Sequence, residues 1–271
     1  MRACVIQMSS VNDKTANLAQ ARGLIEQAVR DDRPDLLVLP EVWAFQGGTA
    51  EERQAAAEVI PDGEAYALLR DLAATHGVVI HGGSFLECAE GQVFNTTVVF
   101  GRDGDELARY RKLHLFDVVT PDGREYRESA LVGRGREVVT YLAEGVRVGC
   151  SICYDLRFGE LFRRLAAEGA QVLTVPAAFT LQTGKDHWEV LLRARAIETQ
   201  CFVLAAAQVG SFQAGRDTRQ NWGHSMIVDP WGKILAQVPE SPGFATARLD
   251  LAYLGRVREM LPVHQHRVLP G

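Results

Sequence analysis

Two short runs constrain this chain more than any other feature. Asp35-Leu36-Leu37-Val38-Leu39-Pro40 and Gln171-Val172-Leu173-Thr174-Val175-Pro176 are each six residues long, nearly all apolar, and closed by proline. They are too short for a buried helix and lack the polar alternation of a half-exposed strand. The first therefore reads as a strand covered on both faces, which requires a layer of structure on either side, and the second as a strand resembling it. Around them lie amphipathic helical segments. Thr15–Arg30 places Leu18, Ala21, Ile25 and Val29 near one face, with Asn12 or Asp13 as candidate caps. Glu64–His76 stops at Gly77 and Phe158–Glu168 stops at Gly169. Hairpins are also expected, joining Phe94–Phe100 to Glu106–Arg111 and Val138–Leu142 to Arg147–Ile152. Further strands are expected at Ala3–Met8, Val78–His81, Phe202–Ala207, Ser225–Val228, Ile234–Val238 and Phe244–Leu249. Helices are expected at Asp186–Thr199 and Leu251–Met260. The mixture predicts an α/β protein with mixed sheets. The likeness of the two apolar runs reflects either two similar layers related by a pseudo-twofold axis or only what buried strands share. No linker or low-complexity stretch divides residues 1–271, so a single domain is expected. The polar stretch from His114 to Arg136 reads as a long loop of the kind that carries function.

Composition narrows the function. Lys plus Arg total 29 and Asp plus Glu total 34, a net charge of −5. That balance supplies no basic footprint for nucleic acid and no polybasic face for a membrane. No run reaches the length of a membrane span, and the short apolar N-terminus lacks the pattern of a signal peptide. Five cysteines, an odd number in a chain of 271 residues, argue against a disulfide framework and for a reducing, cytoplasmic setting.

Three places combine a reactive side chain with the carboxyl end of a strand or the loop beside it, where open α/β sheets bind ligands. Glu41 follows the strand ending at Pro40. A carboxylate there is costly to desolvate unless it is salt-bridged or works as a base with a raised pKa. Lys112, in Tyr110-Arg111-Lys112-Leu113-His114, precedes the long loop; alone it reads as a solvated lysine. Cys153 stands at a strand-to-helix turn in Gly149-Cys150-Ser151-Ile152-Cys153-Tyr154-Asp155. Oriented N–H groups there are expected to lower the thiol pKa and to offer donors to an oxyanion. A buried structural cysteine is the other reading. Cys150 and Cys153 also form a C-x-x-C pair, so a thiol redox protein is a competing class. Positions i and i+3 of a strand face opposite ways, however, which sets the two sulfurs apart. Too few ligands are grouped for a zinc site, so no metal and no cofactor are expected.

Taken together, Leu39-Pro40-Glu41-Val42-Trp43, the Lys112 segment and Gly149–Glu160 resemble the nitrilase superfamily of carbon–nitrogen hydrolases, in the order Glu, Lys, Cys. The likeness continues through Pro176–Gly210, Gly223–Gly232 and Leu261–Arg267, and is greatest to the Nit branch. The resemblance implies a four-layer α-β-β-α sandwich with two mixed sheets. It implies a homodimer, or a higher homo-oligomer, joined through helices near Phe158–Glu168 and Asp186–Thr199. It also implies a cysteine amidase that hydrolyses a small linear carboxamide to a carboxylate and ammonia through a thioester. Deaminated glutathione or a similar 2-oxo acid amide is the expected substrate. The alternatives are ω-amidase action on 2-oxoglutaramate and N-carbamoyl amine hydrolysis. Glu41 would be the base, Cys153 the nucleophile, and Lys112 with the Tyr154 N–H the oxyanion donors. Glu128 would hold the lysine and help position substrate, with Glu125 as the neighbouring candidate. Arg157, Phe179 and Thr180 are expected at the substrate. Two departures from the family pattern stand out: Gly159 in place of proline, and the charged pair Lys185-Asp186 in a segment expected to border the pocket.

Overall fold

A computed structural model describes residues 1–268. Both apolar runs are central strands. Leu36–Val38 lies between the parallel strands Arg2–Gln7 and Val79–His81. Val172–Thr174 lies likewise between Val146–Gly149 and Phe202–Ala205. Each parallel trio is bordered on both sides by antiparallel neighbours. These are Gly243–Arg248 and Gln92–Phe100 in the first sheet, and Thr140–Ala143 and Met226–Val228 in the second. The two sheets match strand for strand across this central part. Among the described residues the sheets hold eight and six strands.

The layers follow from side-chain alternation. Leu36 and Val38 are buried in one apolar cluster with Val148, Val172 and Phe202 of the other sheet. Leu37 and Leu39 belong to a second cluster with Ile25 and Ala28 of helix Lys14–Asp32 and Leu69 and Leu72 of helix Glu64–His76. Helices Gly159–Ala167 and Leu181–Thr199 cover the second sheet with Phe162, Leu165, Trp188 and Leu192. The result is the four-layer α-β-β-α sandwich. No helix among the described residues is long and apolar enough to cross a membrane.

Several expected elements differ. The stretch His114–Arg136 is not an open loop. It holds a small hairpin, Asp117–Val119 with Glu125–Arg127, then a 3-10 turn at Glu128–Ala130 and a short strand at Val132–Gly133. The helix expected from Asp186 begins at Leu181 and runs through Gly184. Gly184 looks like a helix breaker in the sequence, yet it is a close-packing position: a Cβ there would lie 2.2 Å from the Trp222 side chain. Thr180 caps this helix at the Thr183 N–H. Three elements carried too little periodicity to be seen: strand Phe85–Ala89, helix Ala50–Ala56, and the hairpin Val209–Ala214 with Asp217–Trp222. The expected strand Arg147–Ile152 ends at Gly149, which leaves Cys150–Ile152 as a lead into the Cys153 turn. Asp13, rather than Asn12, caps the first helix, at 3.0 Å from the Ala16 N–H.

One glycine sets the height of the Glu41 turn. Gly83 has φ +59°, and a Cβ on it would sit 2.1 Å from the Pro40 carbonyl oxygen. Gly77 has the same φ but open space around it. Gly77→Ala is expected to cost the left-handed penalty alone, about 1–2 kcal/mol. Gly83→Ala should cost clearly more and lower activity as well, because the backbone carrying Glu41 must move. Urea unfolding of the two variants checks the ranking.

Candidate active site

The Glu41 turn is built by backbone strain held in place by polar contacts. Val42, a β-branched residue, sits at φ +46°, a conformation that persists only where its surroundings fix it. Ser84 supplies that restraint: its N–H donates to the Pro40 carbonyl, its hydroxyl accepts from the Val42 N–H, and its carbonyl accepts from the Trp43 N–H. Gln208 donates to the Glu41 carbonyl oxygen at 3.0 Å.

Cys153 occupies a second strained position, φ +49°. It opens a 3-10 turn, Cys153–Arg157, and its N–H donates to Pro176 at the end of the other central strand. Asp155, wholly buried, ties this turn to the segment that carries Lys112. One of its oxygens accepts from the Ile152 N–H at 2.8 Å and the Tyr110 hydroxyl at 2.7 Å. The other accepts from the His114 N–H and contacts its ring Nδ1.

The three side chains meet. Lys112 Nζ donates to Glu41 Oε1 at 2.8 Å and to Glu128 Oε2 at 2.9 Å. The Ala178 N–H donates to the other Glu41 oxygen at 2.8 Å. The Asn95 amide bridges the two carboxylates, at 2.9 Å from Glu41 and 3.1 Å from Glu128. The Phe116 N–H fixes Glu128 at 2.7 Å. Asn95 carried no sequence signal, because a lone asparagine inside a strand resembles any other. Glu125 lies beside the cavity and pairs with Arg127, leaving the lysine to Glu128.

Glu41 is 5% exposed, Lys112 2% and Cys153 7%, so electrostatics here act at low dielectric. Burial pushes the Cys153 thiol well above its ordinary value, the Glu41 carboxylate beside it adds to the rise, and the Lys112 ammonium opposes it. The thiol therefore rests protonated beside the Glu41 carboxylate. The expectation of a lowered pKa is overturned: desolvation and a neighbouring carboxylate outweigh the oriented N–H groups of one short turn. Burial alone would lower Lys112, but Glu128 and Glu41 together hold it well above the usual lysine value.

These groups share one cavity of about 430 Å³. Cys153, Tyr154, Phe179 and Thr180 line it. Arg157 lies outside the lining, with its guanidinium 5.5 Å from the Phe179 ring centre and near His187. Lys185 and Asp186 are exposed on helix Leu181–Thr199 and do not line it, whereas Thr183 does. Gly159 begins helix Gly159–Ala167 without a side-chain cap. Cys150 is buried in the core and does not line the cavity, so the C-x-x-C sulfurs occupy different environments. Among the described residues, no group of three or more His, Cys, Asp or Glu side chains is placed to hold a metal ion.

The family model for carbon–nitrogen hydrolases matches residues 2–259. The chain belongs to the carbon–nitrogen hydrolase family. It is 45% identical to the deaminated glutathione amidase of Synechocystis sp., over 98% of this chain and 97% of that one. The NitFhit protein of C. elegans superposes with a TM-score of 0.89 at 40% identity, covering 98% of this chain and 64% of that longer one. Saccharomyces cerevisiae Nit3, a member of branch 10 of the nitrilase superfamily, gives 0.88 at 30% identity, over 99% of this chain and 97% of that one. This carbon–nitrogen hydrolase is thus an amide-hydrolysing enzyme of the Nit branch of the nitrilase superfamily.

Two outcomes follow for the hydrolase in solution. Native protein treated with iodoacetamide at pH 8 should be labelled at Cys88, which is exposed. Cys4, whose thiol burial pushes up to about 12, and the buried Cys150 and Cys201 should react only after unfolding. Peptide mass mapping reads this directly. Asp155→Asn should set an amide N–H against donors that now meet carboxylate oxygen, shifting Cys153 relative to Lys112. A kcat loss of about 10- to 100-fold with little change in KM is expected; an unchanged kcat would show that the Asp155 link does not position the site.

Proposed function

We propose that Cys153 is the nucleophile of this amidase, Glu41 its general base and acid, and Lys112 with the Tyr154 N–H the donors to the oxyanion. The observation that carries the reading is the convergence of Lys112, Asn95 and the Ala178 N–H on a Glu41 carboxylate that faces a protonated, buried thiol. When the amide carbon comes within reach, Glu41 takes the thiol proton, sulfur bonds to carbon, and the carbonyl oxygen becomes an oxyanion facing Lys112. Collapse breaks the C–N bond, and Glu41 gives its proton to the leaving nitrogen. A water then loses a proton to Glu41 and attacks the thioester. The C–S bond breaks, and the proton on Glu41 returns to sulfur. Glu128 keeps Lys112 charged and aimed. Phe179 and Thr180 border the acyl chain, with Arg157 bracing Phe179 from behind. All of this is done by one hydrolase unit spanning residues 1–271, with no cofactor.

Deaminated glutathione, or a similar 2-oxo acid amide, is the substrate the relatives' names favour. In that compound the scissile nitrogen carries a dipeptide, so the leaving group is an amine rather than the ammonia expected of a primary carboxamide. Product analysis separates the candidates. Deaminated glutathione yields 2-oxoglutarate without ammonia, 2-oxoglutaramate yields both, and an N-carbamoyl amine yields ammonia without 2-oxoglutarate. A homodimer joined through helices Gly159–Ala167 and Leu181–Thr199 accords with the exposed Val190 and Ile197 on the latter. A cytoplasmic setting accords with five unpaired thiols.

Cys153→Ala should abolish hydrolysis, and Lys112→Met should reduce kcat about 100- to 1000-fold. Cys150→Ala should retain most activity, and intact mass should reveal an acyl adduct in wild type but not in Cys153→Ala. Activity that survives Cys153→Ala and vanishes with Cys150→Ala would return the thiol redox reading.

A further inference from the structure

The catalytic cluster leaves one part of the cavity wall unexplained. Arg53, from helix Ala50–Ala56, and Arg219, from strand Asp217–Trp222, both line it. Other arginines nearby are matched with acids: Arg111 with Glu87 and Glu90, Arg124 with Asp122, Arg127 with Glu125. Among the described residues, neither Arg53 nor Arg219 forms a salt bridge with a carboxylate. Arg53 Nε reaches only the Thr49 carbonyl, at 3.4 Å. Arg219 Nε is buried with no partner, and its guanidinium carbon lies 4.3 Å from the Tyr126 ring centre, which orients the planar group. The two cations are near enough to feel each other: burial first, and Arg219 next, hold Arg53 below the usual arginine value. Glu128 lies within electrostatic reach of Arg53, but its oxygens already accept from Lys112, Asn95 and Phe116. A pair of partly buried guanidiniums that repel each other and hold unused donors is matched to a planar anion.

We propose that Arg53 and Arg219 form the subsite for the substrate's carboxylate, so that the enzyme selects carboxamides bearing a carboxylate away from the scissile bond. The inference rests on the Cys153 cavity being the amidase site. It accounts for why a cavity whose catalytic end carries two carboxylates and one ammonium can still receive an anion: the positive charge stands on separate elements of the wall.

The test uses the full-length enzyme and two amides of equal length, glutaramate, which is anionic, and glutaramide, which is neutral. In Arg53→Gln/Arg219→Gln, the ratio of kcat/KM for glutaramate over glutaramide is expected to fall about 100-fold, through KM, with each single variant falling about 10-fold. A ratio unchanged from wild type overturns the proposal, and so does a wild type without preference for the anion. Calorimetry of glutaramate with Cys153→Ala, with and without the arginine substitutions, keeps the two readings apart. If wild type hydrolyses neither these amides nor 2-oxoglutaramate, the amidase assignment of this cavity fails, yet arginine-dependent binding still supports the anion subsite. Glutaramate binding that is absent, or that ignores the substitutions, overturns it.

Discussion

The architecture of this protein turns on a lysine buried between two carboxylates. Lys112 is nearly sealed from water, and its charge is tolerated because Glu41 and Glu128 both accept its protons at hydrogen-bond distance. Removing the lysine would leave two buried carboxylates facing each other without compensation, at a cost of several kcal/mol. The cluster carries one more negative charge than positive, and Asn95 and two backbone N–H groups spread the excess. Burial first, and the Glu41 carboxylate next, keep the nearby thiol protonated at rest. The Cys153 thiol is therefore held in neutral form beside a carboxylate, not as a standing thiolate.

Assembling this cluster requires both sheets. Glu41 leaves the central strand of the first sheet just after Pro40. Cys153 and Ala178 are placed by the second sheet, where the Pro176 carbonyl receives the Cys153 N–H and the Ala178 N–H reaches Glu41. The two equivalent strand ends thus supply the carboxylate and its donor. Asp155 joins the remaining pieces by accepting from Tyr110, His114 and Ile152. Glu41 and Cys153 each sit at or beside a strained backbone held by polar contacts, so their positions are set by the surrounding fold.

The sequence displayed the fold where its physics was local. Doubly buried strands such as Leu36–Val38 announce themselves by unbroken apolar character, and capped helices by their period. The site was legible as three reactive residues after strands, and as a family likeness in their order and flanks. Features created by long-range packing were not legible. Gly184 signals a helix break until Trp222 is seen pressed against it. The Cys153 thiol looks acidic from its turn alone, and its true environment depends on Glu41, more than a hundred residues away. Arg53 and Arg219 lie on short elements with weak periodicity, and nothing in the chain marks them as neighbours.

The contact between Gly184 and Trp222 has a consequence for how this scaffold can diversify. Helix Leu181–Thr199 and the hairpin Val209–Trp222 approach so closely that no methyl group fits between them. The seam acts as a mechanical stop, fixing the distance of one cavity wall from Cys153. A larger occupant of the cavity cannot be accommodated by sliding that wall. It must be met by changing side chains along its inner surface, where charge and bulk can vary while the depth of the chamber stays the same.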